Sequence, residues 1–140
     1  VTERFEFFDH TADIGANVYG NSLAELFENA ARAMYEALGR MHKPESSCHK
    51  SVELQAESAE DLLHDWLTDL LYEIEANHVL YDDFEIHQLT PHCLKATIRG
   101  GPIDFTRSQT NEEIKAVTYH QLHVESHPDG SWRAVVIFDV

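Results

Sequence analysis

Positive charge is scarce in this sequence. Ten Lys and Arg stand against 25 Asp and Glu over 140 residues, a formal net charge of −15 with histidine neutral. Phosphate neutralisation needs clustered cations, so tight direct binding to nucleic acid is excluded unless a metal or a partner supplies the charge. Cysteine is nearly absent. Cys48 and Cys93 are too few and too far apart for a disulfide scaffold or a four-thiolate zinc site, which points to a reducing, cytoplasmic setting. Long apolar runs are missing as well. Nothing approaches the roughly 20 residues needed to span a bilayer, and no signal-peptide core is visible, so no membrane partner is expected. Proline occurs four times and no Pro- or Ser-rich linker or internal repeat divides the chain. Residues 1–140 therefore read as a single domain. With 43% hydrophobic residues the chain is too apolar to be disordered.

Two segments carry helical periodicity. The first opens at Ser22-Leu23-Ala24-Glu25, a capping-box pattern, and Leu23, Leu26, Phe27, Ala30, Met34 and Leu38 then recur at spacings of three and four, with Gly39 as a stop. The second opens at Ser58 and carries Leu62, Leu63, Trp66, Leu67, Leu70, Leu71 and Ile74, a wide apolar stripe that calls for a sheet beneath it; Asn77 is the expected terminator. Strands are predicted over residues 4–8, 14–19, 51–56, 84–89, 94–98, 114–124 and 131–138. Thr90-Pro91-His92-Cys93 reads as a hairpin connection, Pro128-Asp129-Gly130 as a turn, and residues 100–113 as a surface loop. Many antiparallel strands with two helices predict an α+β, two-layer sandwich: a mostly antiparallel β-sheet with both helices packed on one face.

No Walker loop, G-x-G-x-x-G, H-E-x-x-H or G-x-S-x-G pattern is present. The most unusual stretch is Asp9-His10-Thr11-Ala12-Asp13-Ile14-Gly15, which sets two carboxylates, an imidazole and a hydroxyl between two apolar runs. It reads either as a tight turn held by Asp and Thr side chains or as a ligand site, with Gly15 permitting close backbone approach. At the other end, Val135-Val136-Ile137-Phe138 runs into Asp139 and Val140. A strand this apolar should be pinned in the sheet, fixing the Asp139 carboxylate and the α-carboxylate at Val140 side by side. Should Asp13 lie across the strands from them, three anions meet, and such a cluster needs a cation or raised pKa values. Oxygen donors favour Ca²⁺ or Mg²⁺, with Mn²⁺ as an alternative.

Ten histidines (positions 10, 42, 49, 64, 78, 87, 92, 120, 123 and 127) raise the question of zinc. His120 and His123, in one strand, should point to opposite faces, so the set reads as scattered surface residues rather than ligands. On the second helix Asp61, Asp65, Asp69 and Glu73 recur every four residues, with no Lys or Arg between Lys50 and Lys95. This ridge is either a solvated acidic face or a docking face for a basic partner.

These residues resemble the archease family. Asp9–Gly15 is similar to its opening signature, Leu62-Leu63-His64-Asp65-Trp66-Leu67 to its second helix, Ile114-Lys115-Ala116-Val117-Thr118-Tyr119-His120 to its late strand and Val136-Ile137-Phe138-Asp139-Val140 to its terminus, all in the family's order. The loop before the late strand departs from it, reading Arg107-Ser108 where the family often has a basic residue followed by His. The resemblance implies a two-layer α/β fold and a non-enzymatic role as a protein cofactor of RtcB-type RNA ligases in tRNA splicing and RNA repair. It implies promotion of guanylylation of the ligase's histidine and of multiple turnover. It also implies a metal site on Asp13, Asp139 and Val140, with His10 as a neighbouring polar candidate. A chaperone-like modulator of another RNA-processing enzyme, such as a tRNA methyltransferase, is the alternative within the binding-protein class. A divalent-metal hydrolase using His10 as base is the alternative among enzymes.

Overall fold

A computed structural model describes residues 3–10 and 13–140, and of His10 the main chain only. Helix α1 (Leu23–Leu38) begins as the capping pattern requires: the Ser22 hydroxyl accepts from the Glu25 N–H at 3.1 Å. The Glu25 carboxylate reaches one residue further back than a capping box would, accepting from the Asn21 N–H at 3.3 Å. Gly39 ends the helix at φ 132°, and a Cβ there would lie 2.1 Å from the Gln109 carbonyl oxygen, so only glycine fits. Helix α2 (Ala59–Asn77) starts on Ser58, whose hydroxyl accepts from Asp61 N–H at 3.1 Å. It runs through Asn77, and the terminator is His78, left-handed at φ 55° with its N–H donating to Ile74 O at 3.1 Å.

Among the described residues all strand pairs are antiparallel and fall into three sheets rather than one. In the largest, β1 (Phe5–His10) lies at the edge beside β2 (Asp13–Gly20), and β2 pairs with β10 (Trp132–Asp139). The far edge of β10 is shared by β8 (Ala116–Val117) and β9 (His123–Ser126). A three-stranded sheet has the order β4 (Cys48–Gln55), β6 (Cys93–Pro102), β5 (Val79–Thr90), with the expected Thr90–Cys93 hairpin. A two-residue pair joins β3 (Gly39–Arg40) to β7 (Gln109–Thr110). Helix α1 packs on β2 and β10, α2 on β4, β5, β8 and β9, and the Trp66 indole N–H ties the helices by donating to Phe27 O at 3.0 Å. Their apolar stripes and the inner sheet faces form one buried cluster, in which Phe27, Trp66, Leu62, Leu63, Leu67 and Val136 are fully enclosed. No helix of the described residues is long and apolar enough to cross a membrane.

The single strand predicted over 114–124 is two. Thr118 divides it: its N–H and hydroxyl both donate to Ile137 O, at 3.0 and 2.9 Å, while its hydroxyl oxygen accepts from the His120 N–H at 3.3 Å. That local bonding starts a turn, which Gln121 completes at φ 53°. The loop predicted over 100–113 is also more ordered than its composition suggests. Gly100–Pro102 finish β6, and Asp104 then organises a turn by accepting from the Thr106 N–H and hydroxyl at 3.1 and 2.7 Å. Ser108 bridges that turn to the core, donating to Asp104 O and accepting from the His42 N–H, both at 2.7 Å.

Candidate functional site

The β1–β2 hairpin pairs His10 with Asp13 and Asp9 with Ile14; its connecting residues Thr11 and Ala12, and the His10 side chain, lie outside the described residues. Gly15 has a different purpose from the one its neighbours suggest. A Cβ there would sit 2.3 Å from the Phe8 ring, so the glycine makes room for an aromatic side chain across the hairpin rather than for backbone. On the other side of β2, Phe138 pairs with Ile14. That register ends at Ile14 and Phe138, so Asp13 and Asp139 each lie one residue beyond the last pair, at the ends of two neighbouring strands. Both are half-buried.

The terminal strand stays in the sheet through Asp139, one residue beyond expectation. Asp139 pairs with Ala116, its carbonyl accepts from the Lys115 N–H at 2.7 Å, and Val140 packs against the core. The main chain at Asp139 is therefore committed to structure, which leaves its side-chain carboxylate as the chemical group. Among the described residues no three His, Cys, Asp or Glu side chains come together as a metal site would require. Asp13 and Asp139 thus give two carboxylates, and no third His, Cys, Asp or Glu joins them among the described residues. That donor set is all oxygen, the type suited to a hard divalent ion.

The acidic ridge on α2 is not one uniform unpaired face. Glu73 is buried, and Lys50 of β4 donates to it at 2.9 Å while Asn77 donates to its other oxygen at 2.9 Å. Burial pushes the Glu73 carboxyl up, but these hydrogen bonds and the Lys50 charge outweigh it and hold it below the ordinary glutamate value. The cation absent from the surrounding sequence thus comes from the strand before the helix. Asp69 behaves oppositely: partial burial and the charges of Asp65 and Glu73 raise its carboxyl despite Lys50. Asp65 contacts its neighbour His64, whose Nδ1 lies 3.2 Å from the carboxylate and whose Nε2 lies 2.9 Å from Val117 O. Tyr119 stacks on that imidazole with centroids 4.0 Å apart and is 57% exposed. Its phenol is raised by desolvation and by Asp65 and Asp61.

His120 sits in the turn after Thr118 and His123 in β9, where it lies 3.8 Å from Glu60 and 3.6 Å from Glu125. These contacts are with carboxylates, and among the described residues neither histidine joins a group of three or more His, Cys, Asp or Glu side chains that could hold a metal.

One feature of the surface was not foreseen from the sequence. A pocket of about 480 Å³ opens between β1, the C-terminal half of α1 and the segment after β7, lined by Phe7, Phe8, Asp9, Ile14, Glu36, Ala37, Asn111 and Glu112. Its residues come from three separate stretches, and only the alternation of Phe5, Phe7 and Asp9 along one strand face could have hinted at it.

Comparison with known proteins is consistent along the whole chain. The model of the Archease protein family (MTH1598/TM1083) matches residues 5–140. The protein archease of Pyrococcus abyssi is 36% identical over 99% of both chains, and that of Methanosarcina acetivorans is 36% identical over 99% of this chain and 97% of its own. The solution structure of Methanobacterium thermoautotrophicum protein 1598 is similar at a TM-score of 0.75 and 32% identity, covering 98% of this chain and 99% of that one. A crystal structure described as an archease, possible chaperone, from Thermotoga maritima is similar at a TM-score of 0.67 and 29% identity, covering 95% and 94%.

Proposed function

Because this chain belongs to the archease family, we propose that it is an accessory protein that activates an RtcB-type RNA ligase, promoting guanylylation of the ligase's histidine and multiple turnover. The observation that supports this best is the β2–β10 register, which brings the ends carrying Asp13 and Asp139 side by side. These two carboxylates with an oxygen of Val140 would hold one divalent cation, Ca²⁺ or Mg²⁺ with Mn²⁺ as an alternative. When bound, it supplies positive charge where a triphosphate or a guanylylated histidine carries negative charge. The chain's own residues do the rest. The pairing of β10 with β2 and β8 fixes the carboxylates, and the Lys115 bond to Asp139 O stops the strand end from fraying. At a net charge of −15 the protein cannot hold RNA by phosphate contacts, so its effect is exerted on the enzyme.

The test is ligase–guanylate formation with limiting activator. Wild type should convert single turnover into multiple turnover, and Asp13→Ala should lose that effect while remaining folded. Equal acceleration by both would overturn the metal-dependent mechanism. A modulator of another RNA-processing enzyme would leave guanylylation untouched. Phosphoester turnover by the purified protein alone, abolished in His10→Ala, would favour a hydrolase.

A further inference from the structure

Phe7 faces the same side of the sheet as its cross-strand partner Ala16, which is fully buried, yet Phe7 is 41% exposed. An inward-facing phenylalanine left open marks a stretch of the helix–sheet seam that the described residues do not close. Here lies the pocket of about 480 Å³, within the size range of specific ligand sites. Its wall is apolar: Phe7, Ile14 and Ala37. Its rim is anionic: Asp9 on β1, Glu36 on α1 and Glu112 after β7, from three elements distant in sequence. None of the three carboxylates takes part in an ion pair among the described residues, and no Lys or Arg lines the pocket. This contrasts with Glu73, Glu85 and Glu125, each of which the fold supplies with a cation.

We propose that this pocket receives an arginine side chain from a partner protein, its methylene stem on Ile14 and Ala37, its guanidinium plane against Phe7 and its N–H groups on the rim carboxylates. An apolar wall below an anionic rim is the complement of an amphipathic cation, and not of a small anion or a purely apolar group. Arginine suits it better than lysine because a planar guanidinium stacks on an aromatic face and can serve two carboxylates at once. Asp9 and Ile14 adjoin the strand end that carries Asp13, whose side chain alternates to the other face, so an anchored arginine would hold the partner at the same end of the sheet as the proposed cation site. The partner's identity as the ligase rests on the preceding proposal; the chemistry of the pocket does not.

Two measurements decide it. In the first, amide resonances are followed by NMR while N-acetyl-arginine methylamide, its citrulline counterpart or spermidine is added. Arginine should give saturable, millimolar binding with shifts centred on Phe7, Ile14, Ala37 and Glu112, and the uncharged isostere should bind about tenfold more weakly. Equal binding of arginine and citrulline, shifts elsewhere, or spermidine binding as well as arginine overturns the assignment. In the second, the double variant Glu36→Gln/Glu112→Gln, which leaves Asp13 and Asp139 intact, is compared with wild type for association with the RtcB-type ligase. A loss of about tenfold is expected. Unchanged association alongside a positive first result overturns the partner arginine as occupant. A wild-type protein that fails to associate with the ligase at all refutes the proposed function, while the first measurement still decides the pocket.

Discussion

Replacing Lys50 by Met would strand a buried carboxylate. Lys50 Nζ lies 2.9 Å from Glu73, and the two side chains are 40% and 12% exposed. Breaking a fully buried pair costs about 3–5 kcal/mol, and an exposed pair is worth about 0–1 kcal/mol. One partner wet and one nearly dry places Lys50→Met between these limits, at about 2 kcal/mol of lost stability at neutral pH after allowing for solvent screening at the lysine. Glu73→Gln should cost less, because the half-exposed lysine can turn to water. The double variant should recover about 1 kcal/mol relative to the sum of the singles. The pH dependence has a definite sign. In wild type the Glu73 carboxyl is held below its ordinary value of 4.5, so its contribution is present above that value and is lost as pH falls through the depressed pKa. In Lys50→Met the lysine's contributions vanish and burial is opposed by the Asn77 bond alone, so the variant's deficit shrinks in acid as Glu73 takes up a proton. Urea unfolding of the four proteins from about pH 3 to pH 7 measures this directly. Lys95→Met is the control, since its partner Glu53 lies 4.0 Å away with both side chains largely exposed, and its effect should stay within about 0.5 kcal/mol. A deficit for Lys50→Met no larger than that of Lys95→Met, or one that stays flat across the pH range, would refute the reasoning.

Asp139→Asn should abolish saturable Ca²⁺ binding in calorimetry and remove any rise in melting temperature caused by the ion; equal affinity in variant and wild type would show that the strand-end carboxylates are not ligands. Gly15→Ala should destabilise by about 1–3 kcal/mol in chemical denaturation, because the new Cβ must displace the Phe8 ring. A neutral result would mean that Phe8 has room to turn aside at no cost.

The helices were legible because their signals are local: Ser22 and Ser58 are caps written in four residues, and the apolar stripes repeat at helical spacing. The α+β class followed from them and from the alternating runs. What was not legible depends on partners far along the chain. Thr118 suits a strand by propensity and becomes a break because Ile137 O lies in reach of both its N–H and its hydroxyl. Division into three sheets depends on which strands meet, a property that no single run reveals. The neighbouring strand ends that carry Asp13 and Asp139 were approachable because each acid sits at the end of an apolar run that has to lie in the sheet. In the sequence Glu73 looks like one more acid of the α2 ridge, because its cation is 23 residues away on β4. The pocket beside Phe7 stayed hidden for the same reason: three acids from three elements form no motif.

The position of β10 has a consequence for how the protein is born. Arg133 of β10 bonds Asn17 of β2 across a separation of 116 residues, and β2 has no other partner on that side. At synthesis rates of about 5–20 residues per second, the first hairpin and α1 wait many seconds beside the ribosome for the strand that completes their sheet. During that interval Ala16 and Val18 face an unfinished interior, and β2 offers an open edge to any passing chain. Such a protein should fold slowly for its size, with the sheet closing last and all at once. Asp139, carried by that strand, comes beside the end of β2 that carries Asp13 only when this closure is made.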